Sequence, residues 1–360
     1  MCPIKERSNS IQTTNLVFEN GISFKGKLFG AAKSAAGEIV FNTGMVGYPE
    51  TLTDPSYTGQ ILVLTYPLIG NYGVEKELEL SASTFESNGI KISGLVVSDY
   101  SDEFSHWSAF NSLSIWMQKY NVPGICEIDT RELTKLLREK GTMLGKIETE
   151  TNPVEFFDPN NINLFEKVAP KELHEYGEGK SILLYDCGCK ENIVRNLVNR
   201  GFKVKRAPWN FDSTQTEFDA VLFSNGPGNP EMYPDLVEQA KKIFETGKPV
   251  LGICMGHQIV SLAAGAKTYK MKYGHRSQNQ PVINKINNRC FVTSQNHGYA
   301  VDTFSLSTDW NIWFENLNDG TNEGIIHKEK PIMSVQFHPE AAPGPVDTEF
   351  IFDEFLSNIK

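Results

Sequence analysis

The fold of this chain is decided by residues 250–258, whose sequence is VLGICMGHQ. An apolar run passes through Gly-x-Cys-x-Gly into a stretch with helical spacing, which is the cysteine form of the strand–turn–helix motif called the nucleophile elbow. The glycines permit a turn that is too sharp for side chains beside the central residue. The motif therefore predicts that the Cys254 thiol is raised above the end of a strand and directed at the N-terminus of a helix.

This position gives Cys254 the properties of a nucleophile. A helix N-terminus carries partial positive charge and free N–H groups, which favour a thiolate and can hold an oxyanion. A buried structural cysteine would account for the apolar run, but it would leave both glycines unexplained. We therefore interpret Cys254 as a catalytic residue.

The sequence around the elbow alternates short apolar runs with amphipathic helical stretches. This alternation is typical of a mostly parallel sheet that is covered by helices on both faces. The predicted strands are residues 181–185, 221–224, 249–253 and 332–337, and the predicted helices are residues 191–200, 234–246 and 256–264. The second half of the chain is therefore expected to be a doubly wound α/β domain.

The first part of the chain, to about residue 146, has a different pattern. β-Branched and aromatic residues alternate in short segments broken by glycine, which favours strands. One helix is predicted at residues 130–140, with Asp129 as its cap and Gly141 as its stop. Because residues 148–179 are polar and aperiodic, we expect a linker there and two domains, 1–176 and 177–360.

Composition excludes several classes of protein. The formal net charge of the 360 residues is −10, with no basic cluster of the kind that binds nucleic acid. No apolar run is long enough to cross a membrane, and the charged start, residues 1–7, is followed by polar residues, so a cytoplasmic protein is expected. The cysteines lack the spacing of a disulfide framework or a metal site, and none is predicted; they are Cys2, Cys126, Cys187, Cys189, Cys254 and Cys290.

A thiolate nucleophile needs a general acid and base, and His338 is the best candidate. An apolar strand ends at this histidine, and Glu340 follows two residues later, where its carboxylate could orient the imidazole and stabilise its protonated form. His257 and His297 are rivals. His257 is expected to point away from Cys254 on its helix, and His297 is expected in a loop that presents backbone groups to a ligand.

A second turn in the same domain is suited to holding a ligand. Residues 224–230, SNGPGNP, follow an apolar strand and offer exposed backbone N–H groups for an oxyanion or a carboxylate. Residues 179–181, GKS, look like the end of a phosphate-binding loop, but they open a strand where such a loop must open a helix. No nucleotide site is therefore expected in this chain.

Taken in order, the motifs NGPG at 225–228, GICMGHQ at 252–258, QNHGY at 295–299 and QFHPE at 336–340 resemble those of the class I glutamine amidotransferases. The first half adds GEIVFNTGMVGYPE at 37–50, TDPSY at 53–57 and IDTR at 128–131, and APGP follows at 342–345. These segments resemble the small subunit of carbamoyl phosphate synthetase. The resemblance covers essentially the whole chain.

The resemblance implies that Cys254, His338 and Glu340 form a catalytic triad for the hydrolysis of L-glutamine. It implies that the first domain docks the partner and contributes to the glutamine site, so that the site lies at the domain junction. The family's glutamine-binding positions match Ser56, Gly226, Gly228, Met255, Gln258, Asn296, Gly298 and Tyr299.

By the same resemblance, ammonia passes to a large synthetase subunit in a heterodimer. That subunit uses ATP and magnesium to make carbamoyl phosphate from bicarbonate for pyrimidine and arginine synthesis, and this chain needs no cofactor. Two alternatives remain. The chain could be the amidotransferase component of anthranilate or guanylate synthesis, although those proteins lack the leading domain, or a non-catalytic regulatory subunit, against which the intact triad argues.

Overall fold

A computed structural model describes residues 13–79, 83–149 and 152–360. The charged start at residues 1–7, with Cys2, lies outside the described residues. Two residues of the expected linker, 150 and 151, lie outside them as well.

In its described residues, the first domain contains short strands and three α-helices. The strands are β1 (Thr13–Phe18), β2 (Ser23–Gly30), β3 (Ala35–Asn42), β4 (Gln60–Leu64), β5 (Leu68–Ile69), β6 (Val74–Glu75), β7 (Gly94–Val96), β8 (Asp99–Tyr100), β9 (Ala109–Asn111), β10 (Pro123–Cys126) and β11 (Met143–Glu148). The helices are α1 (Tyr48–Thr53), α2 (Leu113–Lys119) and α3 (Thr130–Lys140). Helix α3 has the predicted bounds, because the Asp129 carboxylate accepts a hydrogen bond from the Glu132 N–H at 2.8 Å and Gly141 ends the helix with a φ of 97°.

Seven of these strands close into a barrel in the order β1-β11-β3-β4-β7-β10-β2, and β2 pairs again with β1. Alternate residues of the barrel strands pack in two separate cores. Ile61 and Val63 of β4 pack with Leu133 of α3, whereas Leu62 of the same strand packs with Trp116 of α2. This period of two is the strand signal that the sequence carries. Barrel closure was not predicted, since it depends on the pairing of β1 with β11 and of β2 with β10, which are far apart in the sequence.

The second domain contains one large sheet and five helices. The strands are β12 (His174–Tyr176), β13 (Ser181–Asp186), β14 (Lys203–Pro208), β15 (Ala220–Phe223), β16 (Val250–Ile253), β17 (Lys267–Asn284), β18 (Cys290–Asp302), β19 (Trp310–Asn316), β20 (Asn322–His327) and β21 (Ile332–Val335). The helices are α4 (Phe165–Val168), α5 (Glu191–Asn199), α6 (Pro234–Phe244), α7 (Met255–Ala263) and α8 (Phe350–Ser357).

The strand order of this sheet is β12-β14-β13-β15-β16-β21-β20-β19-β17-β18. The central strands β14, β13, β15, β16 and β21 are parallel, and antiparallel strands extend both edges. Leu183 and Leu184 of β13 point into different cores, and the following residues Cys187 and Cys189 pack one in each core. Helices therefore cover both faces, which confirms the predicted α/β class.

The four predicted strands and three predicted helices of this domain are present, with ends that differ by one or two residues. One local expectation was wrong, because His297 lies inside the long strand β18 and not in a loop. Strand β12, which precedes the expected boundary at residue 176, pairs with β14 of the second sheet. Of the helices in the described part of the chain, none has the length and apolar character needed to cross a membrane.

Candidate active site

Cys254 lies in the sharp turn between β16 and α7. Its φ of 54° and ψ of −102° are rare for a residue with a side chain, and such a conformation costs about 1–3 kcal/mol and persists only where the surrounding structure enforces it. Its N–H donates a hydrogen bond to the Val335 carbonyl at 2.9 Å, which ties the turn to the neighbouring strand β21. The thiol is almost completely buried, and its Sγ lies 3.6 Å from the carbonyl oxygen of Asn296.

The two glycines of the elbow are required by close backbone contacts. A Cβ at Gly256 would lie 2.0 Å from the Phe223 carbonyl oxygen, and one at Gly252 would lie 2.5 Å from the Gly256 carbonyl oxygen. Neither position can hold a side chain without moving the backbone. The structural interpretation of the Gly-x-Cys-x-Gly pattern is therefore confirmed.

His338 follows β21 and is held from two sides. Its backbone N–H donates to the Ser294 carbonyl at 2.9 Å, and its Nδ1 lies 2.6 Å from Glu340 Oε1. Burial alone would lower the pKa of His338, but the charges of Glu340 and Cys254 raise it to about 10. The raised pKa favours the protonated form of the His338 ring, and Cys254 is one of the neighbours that raise it.

Glu340 is fully buried and has a second charged partner, Lys190. Its Oε1 lies 3.1 Å from the Lys190 ammonium, which also donates to the carbonyl oxygen of Ala341. Burial would raise the pKa of Glu340, but Lys190 and His338 lower it to about 2. The carboxylate therefore stays ionised and can orient the imidazole of His338.

The two rival histidines are fully buried and bonded elsewhere. Nδ1 of His257 lies 2.9 Å from the Ser334 hydroxyl, and burial lowers the pKa of this ring to about 3. Nδ1 of His297 lies 2.8 Å from the Tyr299 carbonyl, and burial lowers the pKa of His297 well below its usual value. The geometry therefore favours His338 as the acid and base.

One cavity brings the predicted substrate-binding residues together with Cys254. All eight predicted positions line it, namely Ser56, Gly226, Gly228, Met255, Gln258, Asn296, Gly298 and Tyr299. Gln60, Arg276 and His297 complete the wall. Gln258 is itself fixed, because its side-chain amide donates to the Tyr299 carbonyl at 2.9 Å.

Asp54 of the first domain connects the two domains at this cavity. One carboxylate oxygen accepts from the Ser56 N–H at 2.9 Å, and the other accepts from the Asn296 side-chain amide at 2.9 Å. The Asn225 amide donates to the Ser56 hydroxyl, also at 2.9 Å. Because Asp54 is buried, these bonds fix Ser56 against the second domain and place the cavity at the domain junction.

The sequence did not point to Lys190, Asp54 or Arg276. A weak signal existed for Lys190, since it occupies the N-cap of α5, where a positive charge opposes the helix dipole and needs a partner. Arg276 is a buried cation whose Nη1 donates to the Tyr273 carbonyl at 2.7 Å, while its Nε has no partner among the described residues. No local pattern marks a buried arginine inside a polar strand.

Potential metal donors also cluster beside the cavity. His275, His297 and Glu323 are buried, and their ligand atoms lie within 4.8 Å of one another. These donors come from three strands, so sequence spacing could not identify them. The expectation that this chain holds no metal stays a prediction.

Comparisons with known proteins match both halves of the chain. The family described as "Carbamoyl-phosphate synthase small chain, CPSase domain" matches residues 16–147, and "Glutamine amidotransferase class-I" matches residues 183–358. The human protein named "Carbamoyl-phosphate synthase [ammonia], mitochondrial" is 51% identical over an alignment of 365 positions that covers 99% of this chain and 24% of that protein. The "Multifunctional protein CAD" of Squalus acanthias is 51% identical over an alignment of 352 positions that covers 95% of this chain and 16% of that protein.

This chain therefore spans about a quarter or less of the length of these two curated relatives. A relative of more similar length is the "Carbamoyl phosphate synthase arginine-specific small chain" of Phaeosphaeria nodorum. It is 46% identical over an alignment of 365 positions that covers 98% of this chain and 77% of that protein. With both domains matched and this identity over nearly its whole length, the chain belongs to the carbamoyl-phosphate synthase small chain family.

Proposed function

We propose that this chain hydrolyses L-glutamine at Cys254 and supplies the ammonia to a synthetase that makes carbamoyl phosphate. The observation that carries this proposal is the geometry at Cys254: a strained elbow at a helix N-terminus beside the buried His338–Glu340 pair, whose Nδ1 and Oε1 atoms lie 2.6 Å apart. A cysteine that only packed in the core would not need the positive φ.

The proposed reaction begins with attack of the Cys254 thiolate on the side-chain amide carbon of glutamine. The imidazolium of His338 gives its proton to the leaving nitrogen, and ammonia departs from a glutamyl thioester. Water then attacks the thioester, with neutral His338 taking its proton, and glutamate leaves. Glu340 and Lys190 hold the imidazole in place throughout, as the carboxylate does in other triads.

The cavity offers groups for each part of the substrate. Backbone N–H groups at the start of α7 and in the Gly226–Gly228 turn are suited to the oxyanion, because they are fixed before the charge develops. Gly228 has a φ of 92° and a Cβ at Gly226 would lie 2.2 Å from the Cys187 carbonyl, so this turn depends on both glycines. The buried guanidinium of Arg276 supplies a positive charge for the α-carboxylate of glutamine.

The proposed partner is a carbamoyl phosphate synthetase large subunit that binds through the first domain to form a heterodimer. Family membership supports this partnership, and the relatives that extend far beyond the matched region are consistent with it. In this proposal the partner uses ATP and magnesium, and the product serves pyrimidine or arginine synthesis. We also propose a cytoplasmic location, which cell fractionation would test.

A second candidate is a small chain that keeps the fold without hydrolysing glutamine. The printed name of the human relative, which specifies ammonia, is the observation that keeps this alternative open. Against it stand Cys254, His338 and Glu340, which are all present and arranged for catalysis.

The deciding experiment compares the wild type with Cys254→Ser, each together with the large subunit that copurifies with it. The serine variant should lose glutamine-dependent synthesis and keep synthesis from ammonium, because a serine hydroxyl is not ionised at neutral pH. Appreciable glutaminase activity in Cys254→Ser would refute the role of Cys254. Wild-type protein that used only ammonium would support the second candidate.

A further inference from the structure

Asn225 is a fully buried residue in the turn after β15, next to Gly226 of the glutamine cavity. It is not among the described residues that line this cavity. Its backbone is held in place, because the Ser224 hydroxyl donates to its carbonyl oxygen at 2.8 Å. Its side chain reaches both the start of α5 and the first-domain loop that holds Asp54 and Ser56. Asn225 can therefore act on a substrate only through other residues.

The orientation of the Asn225 amide is determined by its neighbours. Oδ1 accepts a hydrogen bond from the Lys190 backbone N–H at 2.9 Å. Nδ2 lies 2.9 Å from Ser56 Oγ and 3.5 Å from a carboxylate oxygen of Asp54. Turning the amide over would place Nδ2 against the N–H of Lys190 and Oδ1 against the carboxylate of Asp54. Both ends of the amide therefore exclude the reversed orientation.

This orientation sets the direction of the hydrogen bond at Ser56. Because Nδ2 of Asn225 can only donate, Ser56 Oγ accepts from it and keeps its own proton for a different acceptor. In the described part of the chain, the Ser56 hydroxyl has no other hydrogen-bond partner. Ser56 is 6% exposed and lines the cavity together with Cys254. Its hydroxyl is thus a buried donor that is free to bond an acceptor of the ligand.

The free donors of the cavity fit the α-carboxylate of glutamine. The side-chain amides of Asn296 and Gln258 already donate, to Asp54 and to a backbone carbonyl of β18. Nε of Arg276, which lines the same cavity, has no partner among the described residues. The guanidinium and the Ser56 hydroxyl therefore remain for one anionic group, and a carboxylate accepts from both. In the proposed reaction the oxyanion is already served by backbone N–H groups.

We infer that Asn225 is a positioning residue for substrate recognition, which holds Ser56 as a hydrogen-bond donor to the α-carboxylate of L-glutamine. The hydrogen bonds run in one direction, from the Lys190 N–H to Asn225, from Asn225 to Ser56, and from Ser56 to the carboxylate. This inference rests on the proposed function, because glutamine hydrolysis is its readout.

The same amide also supports the triad, and the experiment must separate the two roles. Asn225 Oδ1 holds the backbone of Lys190, whose ammonium lies 3.1 Å from Glu340 Oε1. Replacing Asn225 should therefore lower kcat for every amide substrate. The informative quantity is the discrimination ratio, which is kcat/KM for L-glutamine divided by kcat/KM for 4-aminobutanamide. This analogue keeps the reacting amide and the amino group but lacks the carboxylate, so damage to the triad cancels in the ratio.

The test measures the discrimination ratio in the complex with the large subunit. Ser56→Ala and Asn225→Leu should each lower the ratio about 10–100-fold, as expected for the loss of a hydrogen bond to a charged group. Asn229→Leu is the matched control, since Asn229 lies in the same turn and its side chain accepts from the Glu231 N–H. This control should keep the ratio of the wild type.

A double variant tests whether Asn225 acts through Ser56. Ser56→Ala combined with Asn225→Leu should have the same ratio as Ser56→Ala alone, because the hydroxyl that Asn225 orients is already absent. If Asn225→Leu lowers the ratio by its full factor in the Ser56→Ala background as well, Asn225 acts by another route and the inference is overturned.

The remaining outcomes separate this inference from the proposed function. Circular dichroism and gel filtration check the fold of each variant. A wild type that hydrolyses glutamine, together with an unchanged ratio in folded Asn225→Leu, overturns the inference alone. An unchanged ratio in Ser56→Ala, which removes only a hydroxyl group, overturns it even if Asn225→Leu does not fold. A wild-type complex that does not hydrolyse glutamine refutes the proposed function and this inference with it.

Discussion

Replacing Lys190 with methionine should impair the triad without touching any of its three members. The Lys190 ammonium lies 3.1 Å from Glu340 Oε1, and both side chains are buried. At an effective dielectric constant of about 20, two unit charges at this separation attract each other by about 5 kcal/mol. Removing one partner of a buried ion pair costs about 3–5 kcal/mol of folding stability, since the other charge stays buried and loses its counterion.

The same change should alter catalysis and its dependence on pH. If losing the ion pair raises the activation free energy by a quarter to a half of this attraction, kcat falls about 10–100-fold. Glu340 has its pKa lowered to about 2, with Lys190 as the largest favourable influence, so Lys190→Met should move this pKa upward. Because the triad needs the ionised carboxylate, activity should then be lost at a higher pH on the acid side.

The pH dependence of folding stability should shift in the same direction as that of activity. A carboxyl group whose pKa is lower in the folded chain than in the unfolded chain stabilises the fold above its unfolded pKa, and this contribution is lost as the pH falls through the folded value. In the wild type the loss from Glu340 should continue down to about pH 2. In Lys190→Met the contribution is smaller, and its loss should end at a higher pH.

The assay is the pH profile of kcat and kcat/KM for glutamine hydrolysis, with urea unfolding at several pH values. Lys180→Met, which removes an exposed lysine just before β13, is the matched control and should behave like the wild type. Lys190→Arg retains the charge and should recover part of the activity. A folded Lys190→Met chain with unchanged kcat and an unchanged acid limb would refute the role of Lys190.

Three further predictions concern the triad, the domain junction and the partner. His338→Asn should lower kcat at least as much as Glu340→Ala, because His338 moves protons while Glu340 only orients it. His297→Asn should lower kcat less than His338→Asn, and a greater loss in His297→Asn would show that His297 is the base. Asp54→Ala should raise KM for glutamine about 10-fold or more, since Ser56 and Asn296 lose their common acceptor, and an unchanged KM would contradict this. The isolated chain should hydrolyse glutamine slowly, and the rate should rise when the large subunit is added. Activity assays and gel filtration of the mixture measure the rate and the complex. If the isolated chain had the full rate, or if no complex formed, the proposed partnership would be wrong.

The core of the second domain could be predicted because its signals are local. Apolar runs such as residues 250–253 are fully buried strands, and the following glycines mark the turns that lead into helices. Helix α3 was predicted to the residue, since both its cap and its stop are written in the sequence. The prediction of Cys254, His338 and Glu340 as catalytic residues likewise rests on short motifs that follow apolar strands.

The rest of the site depends on contacts that no local pattern encodes. Asp54 and Asn296 share a hydrogen bond although they are 242 residues apart in the sequence. The segment around His297 was predicted to be a loop that presents backbone groups, yet the polar side chains of Gln295 and Asn296 are buried within a long strand. A buried polar strand and a closed barrel both become stable only when distant strands have paired.

The most direct test of the central claim is the mass of the covalent intermediate. Wild-type chain mixed with its large subunit and glutamine is quenched rapidly in acid, digested and examined by mass spectrometry. The proposed reaction predicts one glutamyl group on the peptide that contains Cys254, and none in Cys254→Ser. Steady glutamine turnover without this adduct, or with a glutamyl group on a different residue, would contradict the assignment of Cys254 as the nucleophile.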